Sequence, residues 1–177
     1  MTPDGLPADF RLNGEAFDPV RFFSGKFMAQ GMFVDRFGSV QRRFAAEINC
    51  RTNDNQTELH EAFIYDDGEK QQRIWTISKD NSEEGAEYYK GEAGDVIGVA
   101  NGASSGSAFS WQYDVELKIS EKNLRVKFSD WIYQMDDYIA INKATVSKFG
   151  IEIGVVTIVF VRGTPASVIG PFNLSKW

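Results

Sequence analysis

A few polar residues fall where the alternation of this chain asks for hydrophobic ones. Glu61 lies between Leu59 and Phe63, and Asp130 lies between Phe128 and Ile132; Asn142 is a third, less pronounced case. A carboxylate buried without a partner is costly, so each acid is expected either to be paired or to hold its proton unusually tightly. Arg73 is the expected partner of Glu61, and Tyr113 is placed to donate its hydroxyl to Asp130. Two chemistries follow. These groups can tie an interior together and fix strand register. Alternatively, they form the polar end of a ligand cavity, where Asp130 with a pKa moved toward neutrality could act as acid or base and Tyr113 as its hydrogen-bonding partner.

Other reactive side chains carry weaker signals. His60 falls on the opposite strand face from Leu59 and Glu61 and is expected at the surface, while Cys50 alternates with Phe44, Ala46 and Ile48 as a small core residue. One His and one Cys exclude a disulfide, a cysteine-rich metal site and a multi-histidine site within the chain. The stretch Gly98 to Gly106 resembles a phosphate loop only in its glycines; no helical pattern follows it, and a bend or bulge between strands is expected. Asp66, Asp67 and Glu69 lack calcium-loop spacing. No metal or cofactor is expected. Two matches to the N-glycosylation pattern, at Asn55 and Asn173, have no meaning outside a secretory pathway.

The elements that must position these groups are strands. Period-two alternation dominates from Gly25 to Arg162, with expected strands at 25–35, 41–51, 56–65, 69–79, 86–93, 96–101, 106–119, 124–135, 138–148 and 151–162. Asp66-Asp67-Gly68 suits a three-residue hairpin loop with Gly68 left-handed, which sets Leu59 against Trp75, Glu61 against Arg73 and Phe63 against Gln71. A turn at Glu121-Lys122 sets Trp111 against Ile132, Tyr113 against Asp130 and Val115 against Phe128, with Asp114, Glu116, Lys118, Arg125 and Lys127 facing outward. A third turn at Phe149-Gly150 sets Val146 against Ile153, Ala144 against Val155 and Asn142 against Thr157. The expected fold is an all-β, antiparallel up-and-down barrel of about 8–10 strands over residues 25–162. A 1–24 extension precedes it, containing a helical turn capped by Asp18 with Pro19 in the first position. Residues 163–177 read as an extended tail.

Composition agrees with a barrel of wide bore. There are 14 Phe, 6 Tyr and 4 Trp, side chains that suit pleated surfaces and fill broad interiors. The net charge of −6 and the lack of any basic run argue against nucleic acid and against an anionic membrane surface. No run approaches the ~18 apolar residues of a spanning helix. Met1 to Phe10 shows no basic segment followed by an apolar one, so a cytoplasmic location is expected.

The runs DRFG (35–38), EAFIYDDGE (61–69), RIW (73–75), YKGEAGDVIGVANG (89–102), SDWIYQMDD (129–137) and SKFGIEIGVVT (147–157) resemble a bacterial family known as domain of unknown function 3833. The resemblance implies a location in the cell envelope for members that carry a lipoprotein signal, and it supplies no catalytic residues. A looser similarity, a helical turn leading into Gly25-Lys26-Phe27, is to the calycin barrels: lipocalins and fatty-acid-binding proteins. Such barrels serve as carriers and as enzymes, so fold alone does not choose. The expected partner is a small hydrophobic or aromatic ligand walled by Phe63, Trp75, Trp111, Tyr113 and Phe128 and oriented by Glu61, Arg73, Asp130 and Asn142. A carrier of this kind calls for a cavity of roughly a few hundred Å³. The alternative is a cofactor-independent isomerase, cyclase or hydratase using the same cavity.

Overall fold

The chain reverses direction at glycines held at positive φ. Gly38 (φ 86°) and Gly68 (φ 84°) close two hairpins of the same design, in which the glycine N–H donates to the carbonyl of Asp35 or Tyr65 three residues earlier. A side chain at such a φ is strained, so glycine fixes where the loop ends and thereby fixes the register of the strands that leave it. The computed structural model describes residues 17–53, 56–80, 87–119 and 122–169.

Within them a short helix, α1 (Pro19–Phe22), precedes ten strands. These are β1 (Gly25–Asp35), β2 (Val40–Asn53), β3 (Gln56–Tyr65), β4 (Lys70–Asp80), β5 (Glu87–Ala93), β6 (Val96–Ser105), β7 (Ala108–Ile119), β8 (Lys122–Gln134), β9 (Ile139–Lys148) and β10 (Ile151–Arg162). Each pairs antiparallel with the next, and β10 closes on β1 to complete a barrel. Closure leaves no unpaired strand edge. In such a meander the odd-to-even hairpins share one rim. The other rim carries the even-to-odd connections together with α1, whose approach is tied down by the Phe17 N–H donating to the Gly106 carbonyl at 2.6 Å. Asp18 caps α1 by accepting from the N–H groups of Val20 (2.9 Å) and Arg21 (3.2 Å).

Three expectations need correction. β7 and β8 pair Trp111 with Asp130, Tyr113 with Phe128 and Val115 with Val126, a slip of two residues from the register read off the sequence. Lys122 is part of the strand, and Glu121 lies outside the described residues. A slip of two leaves every side chain on its face, which is why alternation alone could not detect it. In β10 a bulge between Glu152 and Gly154 places Ala144 opposite Val156 and Asn142 opposite Ile158, so the pairs with Ile153, Val155 and Thr157 do not form. The run from Val155 to Val161 is apolar on nearly every residue, and its inward face was therefore unreadable. Residues Gly163–Ile169 form a second helix, α2, where an extended tail was expected; Pro165 sits in its first turn, where its missing N–H costs nothing. The rest of that tail, and most of the 1–24 extension, lie outside the described residues.

The interior is layered. Phe22 of α1 and the following Phe23 pack with Phe27, Phe109 and Phe160 at one end, and beyond the midline Val115, Val126 and Val146 form a second buried cluster. Within the first cluster Trp75 and Trp111 meet edge to face at 5.7 Å. Room for Trp111 comes from two glycines, Gly102 on the adjacent β6 and Gly91 on β5 beyond it. A Cβ at Gly91 would stand 2.5 Å from its Cζ2, and one at Gly102 would run into the same indole and the Phe109 ring. We expect Gly91→Ala and Gly102→Ala each to lower stability by about 1–3 kcal/mol through overpacking, measured by urea unfolding with Trp fluorescence. Unchanged midpoints would show that the indole has room to move aside.

Candidate functional site

The side chains that point inward from β3, β4, β7, β8 and β9 place a polar layer across the barrel between its two apolar clusters. Asp130 is 7% exposed and Asn142 2% exposed. They face each other from β8 and β9, where the Asn142 amide donates to Asp130 Oδ1 at 2.8 Å. Asp130 Oδ2 and Asn142 Oδ1 are buried with no hydrogen-bond partner. Tyr113, on the other flank of Asp130, lies near enough for its hydroxyl to favour the carboxylate, though at no ordinary hydrogen-bonding geometry to Oδ2.

Glu61 and Arg73 are directly opposed on β3 and β4, as expected. They do not form the expected ion pair. The Arg73 guanidinium turns to Asp95, donating from Nε to Oδ1 at 2.9 Å and from Nη2 to Oδ2. Arg73 also lies over the Trp75 ring, 5.2 Å from its centroid. A bidentate carboxylate satisfies the fork of an arginine better than a single contact, and the second partner leaves Glu61 without a hydrogen bond from any described residue. Asp95 escaped sequence reasoning because it sits in the β5–β6 turn and reads as a spacer. Its signal was the β4–β5 ladder, in which Ala93 faces Trp75, so two residues further on Asp95 falls opposite Arg73. The six residues between Asp80 and Glu87 are too many for a short hairpin loop to fix that register from the sequence.

Burial governs the titration of these groups. It pushes the Glu61 carboxyl up to about 7, against the pull of Arg73 and with the push of Asp95 and Asp130. Burial also raises Asp130 to about 6, although Asn142, Tyr113 and Arg73 favour its ionised form. The Tyr113 hydroxyl is pushed well above the usual phenol range, first by burial and then by Asp130, so it stays protonated. Burial works against the Arg73 cation, but its neighbours, the bound Asp95 carboxylate and Glu61 among them, raise its pKa and keep it charged.

The polar layer borders a cavity of about 130 Å³. Pro19 and Val20 of α1 and Phe23 just after it line one side of it; Glu61, Arg73, Tyr113, Asp130 and Asn142 supply its polar groups. Phe63, Trp75 and Trp111 are in its wall, along with Leu59, Ile132 and Phe160, which sequence reasoning did not single out. Phe128 is not in that wall. It belongs to the second apolar cluster and stacks behind Tyr113, with ring centroids 5.3 Å apart and planes 3° from parallel. The register slip explains the error, because Phe128 pairs with Tyr113 where Asp130 was expected. The cavity is also smaller than the few hundred Å³ expected for a carrier. It is close to the ~150 Å³ apolar cavity known to admit benzene, so with α1 in place it suits a molecule of one ring. His60 lies on the outer face beside Glu58, and Cys50 is buried. Among the described residues no group of three His, Cys, Asp or Glu could hold a metal ion.

A family model described as Protein of unknown function (DUF3833) matches residues 4–162. No curated protein matches the chain. Among solved structures, the S-type phycobiliprotein lyase CPES from Guillardia theta is similar at a TM-score of 0.57 and 8% identity, over 82% of this chain and 90% of that one. The protein EF1p2_mFAP2b bound to DFHBI is similar at a TM-score of 0.43 and 8% identity, over 81% of this chain and 95% of that one. The first of these likenesses agrees with the calycin-like barrel expected from the sequence.

Because both carboxyls hold protons more tightly when folded than at their ordinary values of 3.8 and 4.5, the folded state binds more protons than the unfolded chain between those values and about 6 and 7. Their ionisation therefore destabilises the protein fully above about pH 7, and that penalty disappears as the pH falls through the same window. Asp130→Asn should stabilise the protein by about 1–3 kcal/mol at pH 7.5 and much less at pH 4.5. Urea unfolding at both pH values checks this; equal destabilisation at both would mean that Asp130 is held for its packing and not penalised for its charge.

Proposed function

The chain belongs to the DUF3833 family, and we propose that its barrel binds a small aromatic or apolar molecule in the cavity between α1 and the polar layer. The observation that carries this reading is the cavity's composition. Aromatic faces from Trp75 and Trp111 form walls, and a few convergent polar groups stand to one side, which is how small-molecule sites combine affinity with orientation. A purely structural polar layer would be expected to satisfy its own hydrogen bonds, and this one leaves Asp130 Oδ2 and Asn142 Oδ1 unpaired. Its size restricts the occupant to about one ring while α1 stays in place.

One observation favours catalysis at the same site. A buried carboxyl with a pKa of about 6, beside a tyrosine that keeps its proton, is poised to transfer a proton near neutral pH. In this second reading Asp130 is the acid or base of a cofactor-independent isomerase, cyclase or hydratase, and Tyr113 hydrogen-bonds the group that gains charge. A barrel similar in fold to this one is itself named as a lyase, so the architecture accommodates catalysis as well as carriage. Unchanged turnover in Asp130→Asn and Tyr113→Phe, once a substrate is in hand, would remove that reading.

Native mass spectrometry of gently purified protein tests the binding function. A stoichiometric small adduct, released on denaturation, is expected. Toluene titrated against Trp fluorescence should saturate, and Leu59→Trp, which fills the cavity, should weaken that binding at least tenfold. Protein that carries no adduct and shows no saturable toluene binding would contradict the reading.

A further inference from the structure

We propose that the molecule held in this cavity presents a cationic, N–H-donating edge, as an aromatic amidine or a protonated amino-heterocycle does, to Asp130, Glu61 and the Asn142 amide oxygen. The inference rests on the binding reading above and specifies the ligand's chemistry.

Counting donors against acceptors in the polar layer leads there. On the acceptor side, Asp130 Oδ2 and Asn142 Oδ1 are buried and unbonded, and the Glu61 carboxyl receives no hydrogen bond from a described residue. On the donor side, Arg73 commits Nε and Nη2 to Asp95, and the Tyr113 hydroxyl keeps its proton beside Asp130 without satisfying Oδ2. The Asn142 amide is engaged with Asp130 Oδ1. When the carboxyls are ionised, a guest that donates can satisfy these two unpartnered acceptors, Asp130 Oδ2 and Asn142 Oδ1, whose isolation costs the desolvation of each.

Charge points the same way. Asp95 neutralises Arg73, so Glu61 and Asp130 together carry surplus negative charge whenever they are ionised. An anionic guest would add a third negative group, whereas a cation would supply both charge and N–H donors. The walls also suit a cation: Trp75 and Trp111 border the space, and the Arg73 guanidinium already uses the Trp75 face in this way at 5.2 Å. Every group facing Asp130 is accounted for in this balance: Tyr113 from β7, Asn142 from β9, and, through space, Arg73 from β4 and Glu61 from β3. Both carboxyls are ionised at pH 8 and protonated by pH 5, so the preference for a cation should fade across that range.

Calorimetric titration of the full chain with benzamidine, benzoate and toluene at pH 8 and pH 5 tests the proposal. At pH 8 we expect benzamidine to bind at least tenfold more tightly than toluene, and benzoate not to bind. At pH 5 the advantage of benzamidine over toluene should shrink at least tenfold. Glu61→Gln and Asp130→Asn should each cost benzamidine at least tenfold at pH 8 while toluene still binds, the toluene arm showing that the cavity has kept its shape. Should either variant lose toluene as well, the pH dependence of the native protein and the other variant decide. Toluene binding as tightly as benzamidine at pH 8, or benzoate binding best, would overturn the cationic assignment and leave the cavity reading standing. Failure of all three probes would instead bring down the binding reading on which it rests.

Discussion

Ten strands closed into a ring enclose more width than aliphatic side chains fill. Eight strands already leave an interior just broad enough to be packed by side chains. The response here is a core of aromatics: α1 and its flanking residues insert Phe17, Phe22 and Phe23 at one rim, and Trp75 and Trp111 span the middle. Even that volume does not close the space, and the remainder is the cavity beneath α1. Glycine is part of the same solution, because Gly91 and Gly102 thin the wall where Trp111 lies against it. Bore, plug, aromatic walls and cavity are thus consequences of one closure.

The polar layer is harder to explain as packing. A core that needed only register could use the Arg73–Asp95 pair alone, which is bidentate and partly screened from water. Adding Glu61 and Asp130 raises the cost of ionisation without supplying partners to match, and the carboxyls respond by holding their protons. Groups that weaken a fold and leave acceptors unpaired are a common mark of sites shaped for something other than stability. On this account the layer is tolerated because the apolar clusters on either side, from Phe27 and Phe160 to Val115 and Val146, bury enough surface to carry it.

Much of this architecture is legible in the residues themselves. Alternation located all ten strands, and Gly68 pinned β3 against β4 with Glu61 facing Arg73, because a left-handed glycine leaves one register open. Where no such residue marks the turn, the register is ambiguous: Ser120 to Lys122 contains no glycine, and alternation there is as compatible with Tyr113 opposite Asp130 as with its actual cross-strand partner, Phe128. The β10 bulge hid for a different reason, since a strand apolar on both faces carries no record of which one turns inward. The site was visible as a set of misplaced polar residues, but its connectivity was not. Asp95 takes Arg73 from a turn, and α1 lines the cavity through Pro19 and Val20, with Phe23 just after it, although its own pattern announces only a capped helical turn.

The measurement that bears most directly on this account is the electron density of crystals of the protein soaked in toluene, compared with unsoaked crystals. The account predicts new density for one ring between Phe23, Trp75 and Trp111, with Asp130 and Asn142 at its polar side and the barrel otherwise unchanged. An interior with no added density, in which Trp75 and Trp111 have collapsed to fill the space beneath α1, would contradict it.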